Sequence, residues 1–520
     1  MKILSCVFPI ILGNPIENAK KIVEIADKNE SDIYLFPAFV LTGISCGKLV
    51  SYENFKAAVE EALDMLCKYT EDNDKVIVTS SHSYGNIAIY DGDINKTGSF
   101  KFKNKSIAIS KSGDEKADIV LIPTAMPGYP CIKNDVSEFC AAASKKNNCV
   151  VAVANCGYGE SSADNVFKGI AGVFKNGIIT AFMAQDAPET IIASADYEKA
   201  DGIIYARPNR VADKIPYYGK NDEKLYLNDL FLLQVQALYT RLKSSGINKV
   251  AVNVSGGLDS TLSLLVAHKT IEIMGLPSEN IIGLSLPCFA TTQRTNTNAK
   301  KLMEELKITA KEINIKESVS LHLKDIGHDG KTEDVTYENA QARERAQILF
   351  DICNMHNALA LGTGDMSESA LGFCTFAGDT LSHYNVNATV PKTLVKETVR
   401  FIAASSSDTL KEVLMDIAET PISPELKENQ NTEDILGPYL LHDFIMYYFA
   451  KHNMLADDIR NYAFATFDEY DDDVINNTLD VFFTRYSKSQ FKRSSASEGA
   501  NLIGFTLPYI PADCNFDYLK

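Results

Sequence analysis

The feature that most constrains this chain is the stretch KVAVNVSGGLDSTLSLLVAHKT, an apolar run, a glycine turn and a second apolar run in immediate succession. The β-branched run at 250–254 suits a strand buried on both faces, and the run after the turn is long enough for a helix. Gly256 and Gly257 let the backbone turn tightly and come close to an anion. The helix that opens at Leu258 then offers free N–H groups and the positive end of its dipole. Ser255 and Ser260 can donate hydroxyls, and Asp259 can hold a cation. Such a nest suits a pyrophosphate.

Strands expected at 281–286, 308–315 and 358–361 alternate with helices, which predicts a doubly wound parallel sheet of Rossmann-like type around the turn. Residues 1–200 form a second α/β region. Strands are expected at 1–8, 32–36, 75–79, 86–90, 106–110, 119–122 and 150–155, with helices at 18–29, 53–69 and 136–146. Residues 201–226 carry two prolines, two glycines and many charges and read as a linker, so the second domain is placed at 227–520, opening on a helix at 227–244.

Composition excludes several classes. The formal charge of −17 disfavours a nucleic-acid partner, which needs a basic face. The 11 cysteines contain no CxxC pair, which argues against a disulfide framework and a zinc ribbon and for a reducing, cytoplasmic setting. The N-terminus reads as a strand and not as a signal peptide, and no run of 18 apolar residues predicts a membrane span. The acidic DEYDDD stretch at 468–473 favours the N-terminus of a following helix, not a metal.

The SGGLDS turn resembles the signature of the PP-loop ATP pyrophosphatases, which cleave ATP between the α and β phosphates and transfer AMP to an oxygen. The lysine of a Walker A motif is missing, in keeping with release of pyrophosphate. Further blocks, in order, are LSLPCFATT, DVTYENAQARERAQILF, LGTGDMSESALGF, GDTLSHYNVNATVPKT, TPISPEL, LGPYLLHDF and RYSKSQFKR. Together they resemble the synthetase half of glutamine-dependent NAD synthetases. That resemblance implies a ligase of NAD biosynthesis that adenylates the nicotinate carboxylate of deamido-NAD with ATP and Mg²⁺ and then amidates it with ammonia. It implies that Ser255, Gly256, Gly257, Leu258, Ser260 and Thr363 bind ATP and its pyrophosphate, and that Asp259 and Glu368 hold Mg²⁺. Asn339, Arg345 and Phe373 would contact deamido-NAD, and Asp259, Lys392 and Lys492 would serve catalysis. Phe373 stands where relatives carry Trp, and His383 is expected to be structural.

Residues 1–200 resemble the nitrilase-like glutaminase domain of the same synthetases, through YLFPAFVLTGISCGKL, ADIVLIPTAMPGYP and GYGESSADNVFKG. The resemblance implies an α-β-β-α sandwich with a Glu base, a Lys and a Cys nucleophile. Here the base position is Ala38, Ser110 replaces the Cys, and Lys96, in a shortened segment, is the nearest candidate for the Lys. Cys131, Cys140, Cys149 and Cys156 lie elsewhere than the matching strand end. A serine without a base is a poor nucleophile, so glutaminase activity is expected to be lost. Ammonia would come from solution or from a separate supplying protein, and the idle domain would persist for packing in a homo-oligomer. Two other readings stay open: a different PP-loop amidoligase, and a catalytically silent nucleotide-binding scaffold.

Overall fold

A computed structural model of the chain describes residues 1–110, 112–198, 202, 214–423, 426, 432–511 and 514. The chain forms two compact units, Met1–Pro208 and Asn209–Lys520. Of the expected linker, residues 201 and 203–213 lie outside the described residues. The helix expected from 227 begins earlier, at Glu223, because the Asp222 side chain caps it by accepting from the Leu225 N–H.

Among its described residues the first unit contains twelve strands: β1 (Lys2–Val7), β2 (Ile33–Ala38), β3 (Val76–Ser81), β4 (Gly85–Tyr90), β5 (Asp93–Asn95), β6 (Ser99–Phe102), β7 (Lys105–Ile109), β8 (Ile119–Thr124), β9 (Val150–Asn155), β10 (Ile170–Lys175), β11 (Ile178–Ala184) and β12 (Ile191–Asp196). They build two six-stranded sheets, ordered β12-β1-β2-β3-β4-β5 and β11-β10-β9-β8-β7-β6. The two-residue period of a strand decides the layering. Ile3, Val7, Ile33, Leu35, Val76 and Val78 share one core with Ile107, Ile109, Ile119, Leu121 and Val150 of the other sheet. The intervening Leu4, Cys6, Tyr34, Phe36 and Ile77 pack instead with side chains of α1 (Pro15–Lys28) and α2 (Glu53–Glu71). On the second sheet Val120, Val151 and Val153 meet Val136 and Cys140 of α3 (Ile132–Asn147). The result is the α-β-β-α sandwich of the nitrilase type.

Sequence periodicity did not extend to β10–β12. β11 is half-buried along its length, so it shows no apolar–polar alternation, and Gly172 interrupts β10. These strands matter to the architecture: β12 returns to pair antiparallel with β1, and β10 and β11 extend the second sheet beyond β9.

The second unit contains β13 (Val250–Asn253), β14 (Ile281–Ser285), β15 (Thr309–Glu312), β16 (Leu359–Gly362) and β17 (Tyr384–Asn385) in the order β15-β14-β13-β16-β17. Every adjacent pair is parallel. The chain runs outward from β13 through β14 to β15, then returns to the other side of β13 at β16. The point where the order reverses leaves a crevice at the carboxyl ends of β13 and β16, the usual place for a ligand in such sheets. The helices Lys316–Asp325 and Val335–His356 supply Val319, Leu323, Leu349 and Ile352 to a core with Ala251, Ile282, Leu284 and Ala360. The Glu223–Ser245 helix packs on the Leu258–Ile273 helix that leaves β13. Among the described residues no helix is long and apolar enough to cross a membrane.

Candidate functional site

The glycine turn follows β13 directly. Gly256 has φ +83°, and a Cβ there would lie 2.2 Å from the Thr295 carbonyl oxygen, so only glycine fits. Gly257 is the N-cap of the Leu258–Ile273 helix. The Ser255 and Ser260 hydroxyl oxygens lie 3.0 Å apart, and Ser260 also donates to the Gly257 carbonyl at 3.1 Å. These bonds hold the turn in shape and leave the helix N-terminus facing the crevice.

The neighbouring strand, β16, ends in a second turn. Asp365 caps the short Met366–Leu371 helix by accepting from the Glu368 N–H at 2.8 Å. Fully buried Asn387 ties the two turns together: its amide nitrogen reaches the Asp259 carbonyl, the Ser263 hydroxyl and the Thr363 carbonyl at 3.0–3.1 Å.

Lys392 starts the next helix, Lys392–Ala404, with its N–H on the Ser367 hydroxyl at 2.9 Å. Its side chain is only 2% exposed, and its ammonium lies 2.7 Å from Asp259, 2.8 Å from Asp365 and 2.9 Å from Glu368. One oxygen from each carboxylate falls within 4.8 Å of the others. Burial raises the Asp365 carboxyl well above its usual value and Glu368 to about 7, even with Lys392 adjacent. Burial alone would lower the Lys392 pKa, but Asp259, Asp365 and Glu368 push it well above the ordinary value. Behind them Asp443 accepts from the Ser367 hydroxyl and, at 2.7 Å, from the Thr393 N–H.

A cavity of about 750 Å³ opens here, within the range of small-molecule sites. Ser255, Gly257, Leu258, Asp259 and Ser260 line it from the first turn, and Thr363, Glu368 and Lys392 from the second. Arg345 and Phe373 complete the set of expected residues on its wall.

Three expected residues stand elsewhere. Gly256 is buried against Thr295 and shapes the turn from outside the lining. Asn339 is also outside the lining; it accepts the Thr375 hydroxyl at 2.9 Å and so supports the loop beyond Phe373. Lys492, expected to bring charge to catalysis, is outside the lining. Its ammonium donates to the carbonyls of Gly372, at 2.8 Å, and Cys374, at 2.7 Å. Arg485 donates to the Leu371 carbonyl at 2.8 Å and Arg493 to the Ala370 carbonyl at 3.2 Å. A helix end leaves carbonyls without partners. The RYSKSQFKR block satisfies those at the end of the Met366–Leu371 helix and thereby fixes the loop carrying Phe373.

Two lining or near-lining carboxylates escaped sequence reasoning. Asp365 sits in the GTGDMSE block, but an N-cap role and a place among cations cannot be told apart from sequence. Asp379 lines the cavity and accepts the Thr375 N–H at 2.6 Å. Its side chain reaches cavity solvent yet is crowded by protein, and this desolvation pushes its carboxyl to about 6. His383 accepts the Ala360 N–H on Nδ1 at 3.0 Å, a bond internal to the sheet.

In the first unit Ala38 ends β2 with a methyl group. The buried Ser110 hydroxyl accepts the N–H groups of Ser112, at 3.1 Å, and Gly113, at 2.8 Å, as a turn cap does; Lys111 lies outside the described residues. The exposed Lys96 rests its ammonium 3.6 Å above the Tyr84 ring centroid. Among the described residues no carboxylate or imidazole hydrogen-bonds Ser110. Cys140, Cys149 and Cys156 are buried, and burial pushes each thiol up, away from the reactive thiolate. Among the described residues of this unit Glu160 is a buried carboxylate, and it accepts from the N–H groups of Ile44 and Ser45 and from the Ser45 hydroxyl.

A model of the NAD synthase family matches residues 232–496. The glutamine-dependent NAD(+) synthetase of Mycobacterium leprae is 36% identical over 326 residues, covering 56% of this chain and 48% of that one. The chain thus spans about half the length of the curated glutamine-dependent relative it matches. The NH(3)-dependent NAD(+) synthetase of Fusobacterium nucleatum is 27% identical over 274 residues, 52% of this chain and 96% of that one. A solved glutamine-dependent NAD(+) synthetase from Cytophaga hutchinsonii has the same fold, with a TM-score of 0.79 at 14% identity, covering 100% of this chain and 98% of that chain.

Proposed function

The chain belongs to the NAD synthase family, and from that premise we propose that it joins ammonia to the nicotinate carboxylate of deamido-NAD with cleavage of ATP to AMP and pyrophosphate. The carrying observation is that one cavity unites the N–H nest of the glycine turn, a buried lysine among three carboxylates, and a facing wall with Arg345, Phe373 and Asp379.

A carboxylate is a poor electrophile. Its oxygen attacks the α-phosphorus of ATP, the bond to the β-phosphate bridge oxygen breaks, and an acyl adenylate and pyrophosphate result. Negative charge gathers on the leaving diphosphate. In this reading the N–H groups that open the Leu258–Ile273 helix and the Ser255 hydroxyl receive it, with Lys392 as the nearby cation, while the Gly257 N–H and the Ser260 hydroxyl hold the turn itself. Asp259, Asp365 and Glu368 offer hard oxygen ligands close enough together to suit Mg²⁺, which when bound would neutralise phosphate charge. On the facing wall Phe373 presents an aromatic face to a nicotinate ring, and Arg345 a cation to an anionic substrate.

In the second half, ammonia attacks the acyl carbon, AMP leaves, and the attacking nitrogen must lose a proton. Asp379, pushed to about 6 and ionised at neutral pH, is the carboxylate on the wall suited to take it.

The nitrogen source is free ammonia, because the first unit lacks a base at Ala38 and has a capped hydroxyl at Ser110. Ammonia then arrives from solution or from another protein. The test is NAD and pyrophosphate formation from deamido-NAD, ATP and magnesium with ammonium chloride or with glutamine. Turnover is expected with ammonium alone, rising with pH at fixed total ammonium. Turnover with glutamine overturns the loss of the amidase, and absence of pyrophosphate release with both overturns the synthetase reading.

A further inference from the structure

We propose that the Lys392 ammonium is the resting occupant of the cation position in this cavity, so that a divalent ion enters only together with the nucleotide whose phosphates take the ammonium over. The inference rests on the synthetase reading of the same cavity.

The ammonium stands 2.7, 2.8 and 2.9 Å from Asp259 Oδ2, Asp365 Oδ2 and Glu368 Oε1. These are ordinary lengths for charge-assisted hydrogen bonds or ion pairs. The same three carboxylates are the only cluster of potential metal ligands among the described residues. A divalent ion needs these oxygens at roughly 2.0–2.6 Å, so ion and ammonium compete for one centre.

The surroundings are built for exchange. The backbone of this segment is pinned, with the Lys392 N–H on Ser367 and the Thr393 N–H on Asp443. Motion of the ammonium is therefore motion of the side chain alone. Beyond the three carboxylates, the ammonium faces the Tyr439 ring, 5.5 Å from its centroid. The cage also exceeds what one ammonium can satisfy: Asp259 Oδ1 is buried with no hydrogen-bond partner, and oxygens of three acidic side chains surround a single ammonium. A doubly charged ion would match them better.

What opposes the ion in the free enzyme is the fate of the lysine. Pushed from the cage into a cavity without phosphates, the ammonium gives up three close carboxylates and gains no comparable set of anions in return, which is unfavourable. Lys392 lines the cavity together with Gly257, Ser260 and Thr363, so the displaced ammonium emerges at the anion nest. With a nucleotide in place it gains phosphate oxygens as it loses carboxylates. Ion and nucleotide thereby favour each other's binding, and linkage makes that coupling reciprocal.

The test uses Mn²⁺ as the probe, with free ion followed by electron paramagnetic resonance on the full chain without nucleotide. Lys392→Met is expected to bind Mn²⁺ at least about tenfold tighter than wild type, and the gain is expected to vanish when Glu368→Gln is added. Mn²⁺ alone should raise the thermal midpoint of Lys392→Met and leave that of wild type unchanged. Equal Mn²⁺ affinity in wild type and Lys392→Met overturns the proposal. Should Lys392→Met not fold, wild type decides: tight nucleotide-free Mn²⁺ binding that is lost in Glu368→Gln overturns it, and weak binding supports it. A wild type that makes no NAD rejects the synthetase reading and leaves this comparison intact. Equal Mn²⁺ affinities in a chain that makes NAD reject only the resting-occupant role.

Discussion

Replacing Lys492 with methionine separates a phosphate ligand from a clamp on the substrate loop. In the structure the ammonium donates to the Gly372 carbonyl at 2.8 Å and the Cys374 carbonyl at 2.7 Å. Hydrogen bonds with one charged partner contribute roughly 1.5–3 kcal/mol each. Losing both removes at most about 3–6 kcal/mol of restraint. Arg485 and Arg493 still hold the Leu371 and Ala370 carbonyls, and water reaches the freed oxygens, so about 2–3 kcal/mol is a fair figure for the loosened loop. The loop carries Phe373 and leads to Asp379 on the cavity wall. If binding must restore its order, affinity for deamido-NAD falls about 30- to 150-fold. The ATP-facing turn hangs from β13 and is untouched, so the KM for ATP should stay within about threefold. Lys492→Arg keeps a donor fork and should recover part of the loss. The assay is steady-state NAD formation with each substrate varied in turn, after a thermal melt has established that the variant is folded. A raised KM for ATP beside an unchanged KM for deamido-NAD would refute the clamp and restore a phosphate role.

Three further outcomes follow from the geometry. Asp379 is held at about 6 by desolvation, so its reactive ionised form prevails at pH 7 and is lost below pH 6; the wild-type amidation rate should fall on that acid side. Asp379→Asn should cut NAD formation by roughly 10²-fold or more while pyrophosphate release persists, and an unaltered rate would remove Asp379 from the chemistry. Gly256→Ala places a methyl 2.2 Å from a backbone oxygen at φ +83°, and backbone strain alone costs about 1–3 kcal/mol. Its thermal midpoint should drop by several degrees or the variant should not fold, and a wild-type melt would contradict the packing of the turn. Ser110→Cys should release no glutamate from glutamine, because position 38 still offers only a methyl group; glutamate production would show that another base serves the thiol.

Several elements were legible in sequence because their causes are local. The strand, glycine turn and helix at 250–273 depend on β-branched residues, two glycines and an apolar run that lie side by side. The strand at Lys2–Val7 was legible as an apolar run, but with apolar residues on both faces its layering was set by packing. The half-buried β11 had no such signature, since its burial is set by neighbours and not by its own period. The partners of Lys492 were hidden for a related reason: a lysine in a matching block announces its charge but not its direction, and the carbonyls it meets lie 118 and 120 residues away in the chain.

Sequence by itself determined the glycine turn and the methyl group at position 38, because a missing Cβ at Gly256 and a missing carboxylate at Ala38 are facts of residue identity. The tertiary structure alone decided that Lys392 and Asp259, 133 residues apart, meet with Asp365 and Glu368 in one buried cage. It likewise decided that Asp379 stands on the cavity wall, where the surrounding protein pushes its carboxyl up. Desolvation and charge proximity act through space over a few ångströms, and the parallel pairing of β13 with β16 at the sheet's reversal brings those distant segments within that range.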